Sequence, residues 1–226
     1  MQCKGKNFLA YKANKKDKKV EKTAHFFFSC AFLEQKNMKK IAVFASGTGT
    51  NAENIIRYFA NSQAVSIVLV VSNNPLAGVH DRVNRLGVPS VTYTKEELAE
   101  GSEVVKKMAE YEVDWIVLAG FLKKISETIL FNFPDRIVNI HPALLPKHGG
   151  QGMYGMRVHE AVVAAGDSES GITIHYINEN YDEGQIIFQA RCSVEPSDTP
   201  ENVAAKVHLL EYKYYPEVIN NLIQTL

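Results

Sequence analysis

From residue 38 onward the chain alternates two kinds of hydrophobic pattern. Runs that are apolar on both faces recur at residues 40–46 (KIAVFAS), 64–74 (AVSIVLVVSNN), 114–121 (DWIVLAGF) and 136–141 (RIVNIH). Such continuous runs predict strands covered on both sides, as in a largely parallel sheet. Between them stand helical patterns. GTGTNAENIIRYFAN predicts a helix through Asn61, and AGVHDRVNRLG one closed by Gly87 in the left-handed conformation. Thr94 and Glu97 form a capping box that opens the next helical region, after a short strand SVTY. MRVHEAVVAAG, from Met156 to Gly166, predicts an amphipathic helix with a second glycine stop. GITIHYI and QIIFQARCSV then read as a strand pair around the turn NENYDEG. A long helical pattern begins near Thr199, with a bend or interruption at Pro216. Strands alternating with helices imply one α/β domain over 38–226, with helices flanking a largely parallel sheet.

Composition sets bounds on this picture. The 226 residues are 46% hydrophobic and 22% charged, an ordinary balance for one globular domain. The zero net charge is unevenly spread. Residues 1–37 hold nine lysines against Asp17, Glu21 and Glu34, and the remainder holds 16 Lys and Arg against 22 Asp and Glu. A mildly acidic body does not suit nucleic acid, whose binding rests on clustered cations. No apolar run reaches the ~18 residues of a spanning helix, so no membrane partner is expected. The leader KANKKDKKVEK followed by AHFFFSCAFLEQ imitates a secretory signal, but its apolar part is short and no small-x-small cleavage site follows. Residues 1–37 therefore read as a basic leader outside the fold, and Met38 as a candidate start of translation. Cys3, Cys30 and Cys192 show no CxxC and no metal-ligand spacing, which fits a reducing, cytoplasmic compartment.

Three stretches carry candidate chemistry. In SGTGTN, Gly47-x-Gly49-x-x-Ala52 stands between a strand and a helix, where backbone N–H groups can hold an anion. It formally fits the dinucleotide fingerprint, but Ser72-Asn73-Asn74 occupy the place where that motif needs an acid for the ribose. A single phosphate on Gly49, Thr50 and Asn51 fits better; the plainer alternative is a tight turn with Asn51 as helix cap. In RIVNIHPALLP, Asn139 and His141 share one face of a strand that Pro142 ends at the sheet rim. Two donors there suit a developing oxyanion; equally, they suit a buried pair that shapes the following loop. In HYINENYDEGQII, Asp182 lies in a glycine-terminated turn downstream of His175. A carboxylate near His141 would favour the imidazolium, although turn aspartates are common.

Taken together, NIHPALLP, VLAGF, SGTGTN, GITIHY and YDEGQII occur in the order and rough spacing of the folate-dependent formyltransferases. The chain resembles that family from Met38 almost to Leu226, most of all its members that act on glycinamide ribonucleotide. The resemblance implies a single Rossmann-like domain, with Asn139, His141 and Asp182 as catalytic residues and Asp182 raising the histidine's pKa and ordering a water. It implies a phosphate on Gly49, Thr50 and Asn51, and a ribose held by Glu211 with His208 one turn earlier. Leu122, Lys123, Lys124 and Ile125 match one wall around the folate; Asn178, Glu179, Asn180, Tyr181 and Asp182 match the other, with Asn139 between. The implied reactants are 10-formyltetrahydrofolate and glycinamide ribonucleotide, with no metal, in a monomer or homodimer. Three departures stand out: Lys123 and Lys124 replace an Arg and an apolar residue, an Arg before the fourth strand has no counterpart, and the loop PKHGGQGMYGMRVH is long and rich in glycine.

Other functions on the same framework fit less well. A tRNA formyltransferase calls for a basic C-terminal domain, and a formyltetrahydrofolate hydrolase for an N-terminal regulatory domain larger than a 37-residue leader. A non-catalytic nucleotide-binding module would have no reason to combine Asn139, His141 and Asp182.

Overall fold

The computed structural model describes residues 38–224. The leader reading falls outside them. Seven strands form one sheet: β1 (Lys39–Phe44), β2 (Val65–Ser72), β3 (Ser90–Thr92), β4 (Trp115–Leu118), β5 (Ile137–His141), β6 (Glu169–Tyr176) and β7 (Ile186–Ser193). Their spatial order is β3-β2-β1-β4-β5-β6-β7. The first five are mutually parallel, β6 pairs antiparallel with β5, and β7 pairs antiparallel with β6. Helices α1 (Thr50–Phe59), α2 (Val79–Asn84), α3 (Lys95–Glu100), α4 (Ser102–Glu110), α5 (Glu127–Asn132), α6 (Met156–Ala164) and α7 (Pro200–Gln224) supply the connections and the final cover.

Alternation along β1 divides the core into two layers. Ile41 and Val43 pack with α1, α2 and α7 through Ile55, Val79, Val207 and Ile219. Ala42 and Phe44 point the other way and meet Val104, Met108 and Ile129 of α4 and α5. Each layer gathers apolar area removed from water at roughly 25 cal/mol per Å². The capping box is formed: Glu97 N–H donates to Thr94 Oγ1 and Thr94 N–H donates to the Glu97 carboxylate.

Two points that the sequence left open are decided by the helices. Of a bend or an interruption at Pro216, the interruption does not occur: α7 runs on as one helix. A proline lacks the N–H that should reach the carbonyl four residues back, and that carbonyl, Tyr212 O, accepts instead from Asn54 Nδ2 at 2.8 Å. Asn51 is not the cap of α1 either. Gly49 holds that place at φ 78°, and Asn51 lies within the helix with its amide turned elsewhere.

The order of strands reverses between β1 and β4, and such a reversal opens a crevice at the carboxyl ends of the strands. One buried side chain fixes that rim. Tyr215 of α7 donates its hydroxyl to Leu118 O at 2.8 Å, with Val138 O at 3.3 Å, tying the ends of β4 and β5 to the last helix. Complete burial drives its phenol well above the ordinary tyrosine range, so it remains a donor.

Candidate active site

A cleft of about 820 Å³ opens at that crevice. The turn after β1, the segment after β4, the end of β5, the glycine-rich loop before α6 and the turn between β6 and β7 form its walls. Of the catalytic and binding candidates named from the sequence, all but Glu179 are among the residues that line it.

The end of β5 holds the central group. Asn139 pairs in register with His175 of β6, and His141 with Thr173. His175 Nδ1 lies 2.9 Å from Tyr176 O and must donate there, which leaves Nε2 to accept from Asn139 Nδ2 at 3.1 Å. The amide of Asn139 is thus oriented by a neighbour rather than left to rotate. His141 is 3% exposed. Its Nε2 lies 2.8 Å from the backbone oxygen of His148, and its Nδ1 lies 3.5 Å from Asp182 Oδ2. The shorter contact assigns the resting proton to Nε2.

Asp182 takes the left-handed conformation at φ 58°, one that aspartate tolerates better than most residues. Its Oδ2 accepts the Gly150 N–H at 2.9 Å, and its Oδ1 lies 3.6 Å from His175 Nε2. Gly184 closes the turn because a Cβ there would overlap the Tyr176 carbonyl. The carboxylate does pull the His141 pKa upward, as the sequence suggests. Burial outweighs it, however, and holds His141 below the ordinary imidazole range. The raised pKa expected from sequence is therefore corrected: in this arrangement the resting ring is neutral.

The opposite end of the cleft is a polar corner. Gly49, Thr50 and Asn51 open α1, and a Cβ on Gly49 would collide with Val79, so the loop packs directly against α2. Glu211, 5% exposed, accepts from Asn51 Nδ2 at 2.9 Å and from His208 Nδ1 at 2.8 Å. That bond to Glu211 raises the pKa of His208. Asn51 Oδ1 is buried without a hydrogen-bond partner. So is Nδ1 of His159, a residue 2% exposed on the cleft wall, whose pKa burial lowers. Two walls are also joined: Ser46 Oγ accepts the Leu122 N–H at 2.8 Å and donates to Asn73 Oδ1. Lys123 and Lys124 stand on the exposed lip of the segment that Leu122 begins. Among the described residues no group of three or more His, Cys, Asp or Glu is arranged to hold a metal ion.

Three residues around the cleft have no reading from the sequence. His159 was one more polar residue in a helical pattern; its signal is an imidazole beside Val158 and Val162 on the buried face of α6. Thr173 shares one face of β6 with His175, and their polar alternation matches that of Asn139 and His141 on the neighbouring strand. Ser46 had no signal beyond its place at the end of the first run.

A family model for formyl transferase matches residues 39–219. The chain is 41% identical over 192 residues to the chloroplastic phosphoribosylglycinamide formyltransferase of Arabidopsis thaliana, covering 82% of this chain and 66% of that protein. It thus spans slightly less than two thirds of that relative's length. It is 36% identical over 191 residues to the phosphoribosylglycinamide formyltransferase of Bacillus subtilis, covering 82% of this chain and 95% of that one. The crystal structure of phosphoribosylglycinamide formyltransferase from Bacillus halodurans superposes with a TM-score of 0.74 at 36% identity, over 82% of this chain and 95% of that one.

Proposed function

The chain belongs to the formyl transferase family, and on that premise we propose that it transfers a formyl group from 10-formyltetrahydrofolate to the amine of glycinamide ribonucleotide, a step of de novo purine synthesis. The observation that carries this reading is the meeting of Asn139, His141 and Asp182 on one wall of a cleft whose far end holds the Gly49–Asn51 turn and Glu211. The cleft volume lies in the range of small-molecule sites.

In this reading the ribonucleotide phosphate lies on the N–H groups of Gly49, Thr50 and Asn51, at the positive end of α1. Glu211 and His208 hold the ribose hydroxyls. The folate lies between Leu122–Ile125 on one side and Asn178, Asn180 and Tyr181 on the other. The free amine attacks the formyl carbon, the carbonyl electrons move onto oxygen, and collapse expels the folate nitrogen. The nitrogen of the amine loses a proton in the process and the folate nitrogen gains one; Asp182, through a water, carries it between them. Asn139 and His141 face the oxyanion. Burial disfavours the imidazolium at rest, so His141 Nδ1 takes up a proton from water before the attack, shares it with the oxyanion and releases it again after collapse; negative charge on the formyl oxygen, with the pull of Asp182, favours that protonated form. The interaction is therefore strongest in the transition state, where it accelerates the reaction. Asn139 and His141 place their donors without a nucleophilic side chain, so the transfer proceeds directly between the two substrates.

Residues 38–226 form the catalytic domain in this proposal, and 1–37 a dispensable leader. The working unit is a monomer or homodimer, since a single chain supplies every wall of the cleft described. A reducing, cytoplasmic compartment accords with Cys192 as a free thiol. The test is an assay with both substrates. Tetrahydrofolate should appear only when glycinamide ribonucleotide is present; release from formylfolate alone would make the protein a hydrolase, and no release from either mixture would leave a binding module.

A further inference from the structure

The glycine-rich loop hydrogen-bonds His141 through the carbonyl oxygen of His148, and the side chains at the start of that loop are gripped outside the cleft. His148 adopts a left-handed backbone conformation, φ 53°. Histidine, like aspartate, enters this region more readily than most residues, and contacts from its neighbours select it here. The loop is tied on either side by Lys147 N–H to Leu144 O at 3.1 Å and Gly150 N–H to Asp182 Oδ2 at 2.9 Å, and its side chains are gripped by Asp167, just beyond the Gly166 stop of α6. Its Oδ2 lies 2.7 Å from His148 Nε2, and its Oδ1 accepts from Lys147 Nζ at 2.9 Å. One carboxylate thus clamps two consecutive side chains and fixes the peptide that follows them. Asp167 lines a separate small cavity of about 210 Å³ behind the loop, and not the cleft itself.

We propose that Asp167 is a positioning residue for the reaction: by clamping Lys147 and His148 it aims the His148 carbonyl at His141 Nε2, keeps the resting proton on that nitrogen, and leaves Nδ1 to face Asp182 and the substrates. The proposal rests on the formyl-transfer reading for its kinetic consequence but not for its structural one. Asp182, His148, His175, His159 and Glu211 are the titratable groups that act on or are acted on by His141. Among them, the His148 carbonyl is the contact that Asp167 governs. A hydrogen bond from a charged donor is about twice as strong as from a neutral one. Loss of the carbonyl therefore costs the imidazolium more than the neutral ring, and the His141 pKa falls.

The experiment is a nitrogen-15 NMR titration of His141 in the full chain without substrate, paired with pH profiles of kcat. The wild type should show the Nε2–H form when neutral. Asp167→Ala should show a mixture of the two neutral forms, and the alkaline limb of its kcat profile should move down by about one pH unit, a roughly tenfold loss on that limb. KM for glycinamide ribonucleotide should stay within about twofold, because the polar corner is untouched. Asp167→Glu, which keeps the carboxylate, should recover most of the wild-type limb. Asp167→Asn preserves volume and serves the same comparison if the alanine variant does not fold. A wild-type mixture of neutral forms overturns the proposal, as does an unchanged mixture and limb in Asp167→Ala, even if that variant is less active for other reasons. A shifted tautomer in a protein that transfers no formyl group would instead uphold the clamp and remove the functional reading.

Discussion

The segment that follows β5 depends on a hydroxyl, and Thr173→Val removes it with almost no change of shape. Thr173 is fully buried in β6. Its Oγ1 donates to Ala143 O at 2.7 Å and accepts the Leu145 N–H at 2.9 Å and Gln189 Nε2 at 2.9 Å. Gln189 keeps a second acceptor, Leu145 O at 3.0 Å, when the hydroxyl goes. Ala143 O and Leu145 N–H do not. Each buried polar group left unsatisfied costs about 1–3 kcal/mol, and replacing the hydroxyl by a methyl returns about 1 kcal/mol of apolar transfer. The net loss is about 1–5 kcal/mol, a large share of the 5–15 kcal/mol typical of whole domains. Urea unfolding followed by circular dichroism measures it directly. With a slope of about 2 kcal/mol per molar urea, the midpoint should fall by roughly 0.5–2.5 M. Thr173→Ser keeps the hydroxyl and should lose only about 1 kcal/mol, the value of one buried methyl. Equal midpoints for wild type and valine variant, or a larger loss in the serine variant, would refute the hydrogen-bond argument.

Further outcomes follow from the same geometry. His141→Ala should lower kcat by about 10²–10³ with KM nearly unchanged, because its donor acts on the oxyanion; near-normal turnover would remove it from the mechanism. Glu211→Gln should raise KM for the ribonucleotide by about ten- to a hundredfold, the worth of a charged hydrogen bond to a hydroxyl, and should let the His208 pKa fall back, readable by NMR titration. Burial lowers the pKa of His141, His159 and His175. Each stays neutral in the fold while the unfolded chain takes up protons below about pH 6.5. Their contribution is therefore full above that pH and lost as pH falls toward each folded value, at up to about 1.4 kcal/mol per unit for each ring. Chemical denaturation between pH 5 and 8 should show that slope, shallower in His159→Gln. Deleting residues 1–37 should leave the urea midpoint and kcat unchanged; an insoluble product would make the leader part of the folded domain.

Strand and helix positions were legible because the apolar runs are dense and the stops are explicit. The four continuous runs became β1, β2, β4 and β5, and the Thr94–Glu97 box formed as written. What sequence could not supply was mutual distance. Asp182 stands 41 residues from His141 along the chain, and only the pairing of β5 with β6 brings their turn to within 3.5 Å. Burial was equally invisible: it reverses the expected direction of the His141 pKa, since a local motif does not reveal how much water a fold removes. How the last helix continues past Pro216 was hidden for a related reason, because the donor that meets Tyr212 O comes from Asn54, 158 residues earlier.

The last helix reaches back across the whole chain. Glu211 meets Asn51, Tyr212 meets Asn54, and Tyr215 meets Leu118 and Val138, over separations of 77 to 160 residues. Chains emerge from the ribosome N-terminus first, and contacts of such long range close late. Most of the sheet can therefore assemble on a nascent chain that still lacks the Glu211–Asn51 corner and the latch on the ends of β4 and β5. A ribosome stalled shortly before Glu211 would carry an α/β domain whose cleft still lacks that polar corner.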